Sequence, residues 1–343
     1  THGTSITIAR LCRLWTREDV LLLKSALSKL INPFGAESDG FKIIVHAPDQ
    51  QDTDSQSLAS LKKKGEEVYP NALVNGPVGN FIFSTLQEKT TFIDVKITDD
   101  GQIESTLADR GTLIYRIREP NEFPLLANSG FSAKVFFLNT SAKMTFAKRM
   151  GVPSVQFGSI FLFRNGFRVF PIGEDGDDWF GIDRRKQQGY SRFLGTRELI
   201  GRIDVSGLIA TPAVLQLRKC VQEHCLKRLE RYVIPVTFVD KEDRHTSDVS
   251  RLLTDPGRAR VTSAVARLVD NDEVELLEYN KELVGILDER SSQFEASLGG
   301  LRAIAEKTED KALFASIEHA EKRFAELRKA EELARIQADE ERE

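Results

Sequence analysis

The stretch Val155–Val205 constrains this chain more than any other, because apolar strand patterns there flank a polar, cationic segment. Ser159–Phe163 is rich in β-branched and aromatic residues, and Phe167–Ile172 alternates apolar with polar positions. Asn165-Gly166 between them tolerates positive φ at both positions, so the two runs predict a β-hairpin. Leu199–Val205 predicts a third strand. Between hairpin and third strand lie an acidic turn, Glu174-Asp175-Gly176-Asp177-Asp178, and the run Asp183-Arg184-Arg185-Lys186-Gln187-Gln188-Gly189. Three adjacent cations and two amides on one loop form a donor set suited to phosphate oxygens. The same run also fits a solvated basic loop.

Upstream, Ser5–Leu11 has a strand pattern approached through His2-Gly3-Thr4. A Gly-Thr pair before a strand can bring backbone amides and a hydroxyl to a phosphate, or simply turn the chain into the strand. Arg17–Leu30 predicts a helix capped by Thr16 and stopped by Asn32-Pro33-Phe34-Gly35, with a strand at Phe41–His46. Gln50–Glu67 is polar, with a DQQDTDSQS run leading to Lys62-Lys63-Lys64, which predicts an exposed, mobile insertion with solvated lysines. Asn75-Gly76-Pro77 reads as a turn, Val78–Leu86 as a helix and Thr90–Ile97 as the strand closing the first domain. Asp99-Asp100-Gly101 marks a hairpin, Gly111–Ile117 and Phe131–Leu138 are strands, and Asn139-Thr140 caps a helix Ser141–Met150.

Beyond the cationic run, Pro212 opens a helix Ala213–Tyr232 with Leu215, Leu217, Val221, Leu226 and Leu229 mostly inward. Cys220, His224 and Cys225 lie on it, but no second ligand cluster accompanies them, so they read as buried or half-buried thiols rather than a metal site. From Arg251 the chain turns to long charged helices. Leu276, Leu283, Leu287, Phe294, Leu298 and Leu301, then Leu313, Ile317, Ala320, Phe324 and Leu327, keep the sevens, fours and threes of a coiled-coil or helical-hairpin seam. Gly299-Gly300 and Thr308-Glu309-Asp310 are the expected breaks. Such helices suit either partner binding or packing onto the neighbouring domain.

The run from Arg164 to Ile203, with the succession of elements before it, resembles the transducer domain of bacterial GHKL ATPases, the superfamily of DNA gyrase B, MutL, MORC proteins and the ninety-kilodalton heat-shock chaperone. In that superfamily a Lys, Arg or Gln of the transducer reaches the γ-phosphate of ATP. The resemblance implies that Lys186 is the catalytic cation here, with Arg184, Arg185, Gln187 and Gln188 beside it and Arg184 or Arg185 holding the loop against Asp177 or Asp178. It implies that His2, Gly3 and Thr4 end an ATP lid and contact the nucleotide. The Asn that holds magnesium, the Asp-x-Gly that reads adenine, the glycine-rich lid and the Glu that activates water would all precede Thr1. Either the chain is a fragment, inactive by itself, or the protein never had an ATP site.

The expected fold is therefore α+β: residues 1–98 a remnant of a Bergerat-type ATPase domain, 99–245 a transducer with a left-handed β-α-β crossover implied by the resemblance, and 246–343 a helical or coiled-coil region. The expected function is an ATP-binding and ATP-hydrolysing conformational machine using ATP and Mg2+, homodimeric, with a protein partner on its C-terminal helices and DNA as a candidate client. The alternative is a non-catalytic interaction or dimerisation module. A formal net charge of −4 gives no overall pull toward nucleic acid. No run of 18 apolar residues occurs, which predicts no membrane-spanning helix. Three cysteines in 343 residues suit a reducing compartment, and a cytoplasmic location is expected.

Overall fold

The computed structural model describes residues 13–28, 43–63, 73–78, 82–150, 153–189, 192–207, 211–234, 248–287 and 293–340. They form an α+β protein with a mixed sheet. The chain divides into two compact units, one drawing on Thr1–Ser84 and Met144–Phe157, the other on Thr85–Lys143 and Gly158–Glu343. His2, Gly3, Thr4, Cys12, the strand expected at Ser5–Leu11 and the stop at Asn32–Gly35 lie outside the described residues.

In the first unit, helix α1 (Arg17–Ser28) opens with a reciprocal cap. Thr16 Oγ1 accepts from the Asp19 amide at 3.3 Å, and the Asp19 carboxylate accepts from the Thr16 amide at 2.9 Å. Strand β1 (Ile43–Val45) pairs antiparallel with β2 (Gly76–Val78), so Asn75-Gly76-Pro77 runs into a strand rather than forming only a turn. A two-stranded edge tolerates Pro77, which has no amide to donate. The polar run after Gln50 is likewise ordered, as helix α2 (Gln51–Lys63), and not a mobile insertion. Its anchor is Asp54, 7% exposed, whose carboxylate accepts from the Val74 and Asn75 amides at 3.0 and 2.8 Å and pairs with Arg17 at 2.7 Å. Burial works against this charge, but those donors outweigh it and hold the carboxyl down at about 2. Lys24, also buried, donates to the Leu73 carbonyl at 2.8 Å; desolvation pulls its ammonium below the usual lysine range.

The second unit is built on an eight-stranded sheet whose strands lie in the order 275–279, 112–120, 102–109, 91–97, 132–137, 199–205, 160–164 and 167–168. Helix α3 (Ile82–Lys89) leads into β3 (Thr91–Ile97), where buried and partly exposed residues alternate strictly. Then come β4 (Gln102–Asp109), β5 (Thr112–Pro120) and β6 (Ser132–Phe137). A domain boundary at residue 98 would cut the β3–β4 hairpin; the break between compact units falls at Ser84. Asn139 Oδ1 accepts from the Ala142 amide at 2.7 Å and caps α4 (Thr140–Met150), which from Met144 on, with α5 (Ser154–Phe157), belongs to the first unit.

Strand β7 (Ile160–Arg164) turns through Asn165 and Gly166, at φ 51° and 79°, into the short β8 (Phe167–Arg168). The second arm is shorter than expected because the chain coils after Val169, whose carbonyl accepts from the Ile172 amide. Strand β9 (Leu199–Val205) lies parallel to β7 and antiparallel to β6. Strands β6 and β7 therefore run in opposite directions. The strand–helix–hairpin succession is not itself the crossover; the parallel connection runs from β7, through the cationic segment, to β9.

Across this sheet packs one long helical rod: α7 (Thr211–Cys220), a π-helical segment Val221–Leu226 and α8 (Lys227–Val233). Leu217, Val221, Leu226 and Leu229 are buried in the core as expected, whereas Leu215 is 63% exposed. The C-terminal region does not form a separate body. Helix α9 (Asp255–Val269), capped by Thr254, leads to β10 (Glu275–Tyr279), which hydrogen-bonds to β5. Leu276 thus belongs to the sheet and not to a helical seam. Gly299-Gly300 does not break a helix either: it lies inside α10 (Phe294–Thr308), where a Cβ on Gly300 would come within 3.0 Å of the Ala266 Cβ. The break does occur at Glu309, φ 53°, and Asp310 caps α11 (Lys311–Glu340) by accepting from the Leu313 amide at 3.0 Å. The four-three seam of α11 packs within the same chain, with Ile317 and Ala320 buried and Phe324 4.7 Å from the Phe294 ring.

Two outcomes are expected. Ile317→Ala should lower unfolding free energy by about 2–5 kcal/mol in urea titrations, whereas Leu333→Ala, at an exposed position, should change it by less than about 0.5 kcal/mol. Asp54 has a folded pKa of about 2, below its value in the unfolded chain, so its stabilisation is complete above the unfolded value and is lost as pH falls toward 2. Melting temperatures measured from pH 5 to 2 should fall less steeply in Asp54→Asn than in the parent, from a lower starting value.

Candidate functional site

The cationic run folds as a short helix, α6 (Ile182–Gln187), rather than an open loop. The acidic turn before it supplies the reason. Asp178 accepts from the backbone amides of Ile182, Asp183 and Arg184 at 2.6, 3.0 and 3.0 Å, satisfying donors that a helix start otherwise leaves unpaired. Asp177 accepts from the Gly173 and Trp179 amides. Both carboxylates are thus engaged by backbone, which corrects the expectation that they hold Arg184 or Arg185. Arg185 instead reaches α8, where its Nη2 lies 2.8 Å from Glu230 Oε2, and its guanidinium stacks on Phe193. The other oxygen of Glu230 accepts from the Leu194 amide at 3.1 Å. Burial pushes the Glu230 carboxyl up, and Arg185 only partly offsets this.

Lys186 faces the other way. Its Nζ is 2.6 Å from Glu198 Oε2, with the two side chains 23% and 21% exposed. Glu198 also accepts from the Gly195 amide at 2.9 Å, and Asp183 accepts from both the amide and the hydroxyl of Thr196, at 2.9 and 2.6 Å. Gly195 leaves room for both side chains: a Cβ would stand 2.8 Å from Lys186 Cδ and 2.9 Å from Asp183 Oδ1, so they would have to shift. Helix α6 is therefore tied to α8 on one side and to the turn Gly195–Glu198 on the other. Arg184, Gln187 and Gln188 are exposed and share an i, i+3, i+4 face. The structure brings Arg184, Lys186, Gln187 and Gln188 together on one short element and turns Arg185 inward.

Glu198 and Glu230 were not singled out from the sequence. Glu198 had only half a signal: a glutamate three residues after Gly195 can accept from the Gly195 amide, but glycine has no side chain to complete a capping box. Glu230 had none, because a glutamate in a charged helix looks the same whether it is solvated or buried.

Two further buried carboxylates draw basic and hydroxyl groups around them. In the π segment, His224 Nδ1 lies 2.9 Å from Glu119, and Arg228 donates to both oxygens of Glu119 at 2.6 and 2.7 Å. Burial raises the Glu119 carboxyl, but these partners overcome it and leave it below the usual range. Asp109 accepts from the hydroxyls of Thr91 and Tyr232 at 2.8 and 3.0 Å and has Arg260 at 3.6 Å. Cys220 and Cys225 are buried, and desolvation pushes both thiols upward. Among the described residues no three His, Cys, Asp or Glu side chains converge to hold a metal ion, and no helix is long and apolar enough to cross a membrane. Compared with known proteins, the chain matches no family model, no curated protein and no solved structure.

Removing the triple acceptor at the start of α6 should cost about 0.5–2 kcal/mol. In Asp178→Ala, hydrogen exchange should accelerate at the amides of residues 182–184 while the amides of β9 keep their protection; equal protection in variant and parent would refute the capping role.

Proposed function

We propose that this chain is the coupling part of a GHKL-type, ATP-driven conformational machine in which α6 presents Lys186 to the terminal phosphate of ATP. The supporting observation is the Lys186–Glu198 pair: a lysine with one carboxylate partner, part exposed, on a helix held at its start by Asp178 and through the Arg185 side chain by Glu230. A part-exposed ion pair is worth about 0–1 kcal/mol, so a polyphosphate carrying more charge than one carboxylate displaces Glu198 at little cost. Only the lysine side chain has to swing; α6 stays where Asp178 and Glu230 hold it.

ATP brings the bond that is cleaved. As negative charge develops on the departing oxygens, a cation already in position lowers the barrier without acting as acid or base. Lys186 is the compact cation for this role, with Arg184, Gln187 and Gln188 as further donors to phosphate oxygens, and His2, Gly3 and Thr4 adding amides and a hydroxyl. The donor set on α6 suits phosphate. It offers nothing to magnesium, whose ligands, like the adenine contacts, would come from a nucleotide-binding half-domain. Nucleotide-dependent closure of a homodimer, passed through the helices to a protein or DNA client in the cytoplasm, completes the reading.

The second reading, a non-catalytic interaction module, draws on the far end of α11, where Leu333 is exposed on a Glu- and Arg-rich helix. ATP turnover separates the two. With the nucleotide-binding half present, Lys186→Ala should depress turnover by about two to three orders of magnitude while ADP affinity changes little. Glu198→Gln, which leaves the lysine in place, should retain turnover. Parental turnover in Lys186→Ala would reduce α6 to a basic surface, and failure of the parent to bind ATP would favour the interaction module.

A further inference from the structure

A cavity of about 350 Å³ opens where α8, α9 and α10 meet, and it shares no residue with α6. Small residues make the room: Ala259 and Ala266 of α9 face the Gly300 side of α10. That volume falls within the range of sites for small organic ligands, about 300–1,000 Å³.

The wall of this cavity is charged in one sense. Arg260 lies 3.6 Å from Asp109 with its guanidinium 4.9 Å from the Tyr232 ring centre, so its position is fixed. Arg267, two helical turns along α9, and Arg231, on α8, are exposed and form no ion pair among the described residues. Asp270 is the one acid among the lining residues, which leaves three positive charges against one negative. Thr262 is among the lining residues at 1% exposure, with its hydroxyl closed off from the cavity. The first turn of α10 also faces the cavity, through Ala296 and Ser297, and a helix start favours negative charge.

We propose that this cavity binds a small organic phosphate monoester. Its phosphate would lie between Arg231 and Arg267, and its organic part against the small apolar residues of α9 and α10. The two guanidiniums of Arg231 and Arg267, which form no ion pair among the described residues, match a dianionic monoester better than a singly charged carboxylate, and guanidinium forks suit phosphate oxygens.

The test uses the whole chain and 1-naphthyl phosphate, a fluorescent monoester that is not a nucleotide, so its outcome is independent of any nucleotide at α6. Fluorescence titration should show saturable binding, and 1-naphthol should bind at least about tenfold more weakly. Arg231→Ala and Arg267→Ala should each weaken 1-naphthyl phosphate by about tenfold to a hundredfold, and Ser263→Asp, a charge placed on the exposed wall, should do the same. Lys186→Ala should bind as the parent does. All of these positions are at least partly exposed, and far-UV circular dichroism would verify that the variants fold. No saturable binding by the parent, equal affinity for 1-naphthol, or parental affinity in both arginine variants would overturn the proposal.

Discussion

Glu230 is buried on α8, where a carboxylate keeps its charge only if donors surround it, and the donors around it come from the segment that carries Lys186. Arg185 and the Leu194 amide both end on its two oxygens. This fixes the direction of α6: with Arg185 turned inward to Glu230, the next residue must turn about 100° away, which sends Lys186 toward Glu198. Breaking a buried pair of this kind is costly, because the carboxylate left behind has no water to replace its partner. The fixed geometry of the cationic face is thus a consequence of an electrostatic requirement in the interior.

The same rotation divides α8 among three neighbourhoods. Glu230 goes to α6, Arg231 to the cavity beside α9, and Tyr232 to Asp109 at the end of β4. Three consecutive residues on one turn thus face three different surroundings, and two of them, Glu230 and Tyr232, hold polar clusters. The π segment just before them carries His224 to Glu119, so the whole rod is keyed to the sheet and its surroundings by charge as well as by its apolar face.

What the sequence made legible was what local chemistry decides. Asn165-Gly166 at positive φ, the alternation along Thr91–Ile97, the full extent of Leu199–Val205 and the caps at Thr16 and Asn139 are decided within a few residues, and each was readable. The misread segments depend on distant partners. Gln51–Lys63 looked like a polar insertion because the groups that make Asp54 an anchor, the amides of Val74 and Asn75, lie some twenty residues away. Gly299-Gly300 looked like a break because its reason, the approach of Ala266, belongs to another helix. Leu276 fitted a heptad only while its pairing partner in β5 was unseen. At the candidate site the residue types on α6 were apparent from the sequence, but their division into an inward Arg185 and an outward Lys186 was not, since Glu198 and Glu230 decide it.

Strand β10 has one consequence for synthesis. Its register joins Glu275 to Arg118 and Tyr279 to Tyr115, across more than 150 residues of intervening chain. On a ribosome, β5 leaves the exit tunnel long before β10 exists, at about 5–20 residues per second, and until then its outer edge offers unpaired amides and carbonyls to any passing strand. The newborn sheet therefore spends several seconds or more with its β5 edge open. The same residues that seal it last make the finished fold slow to nucleate, because their contacts return free energy only after most of the second unit has been made.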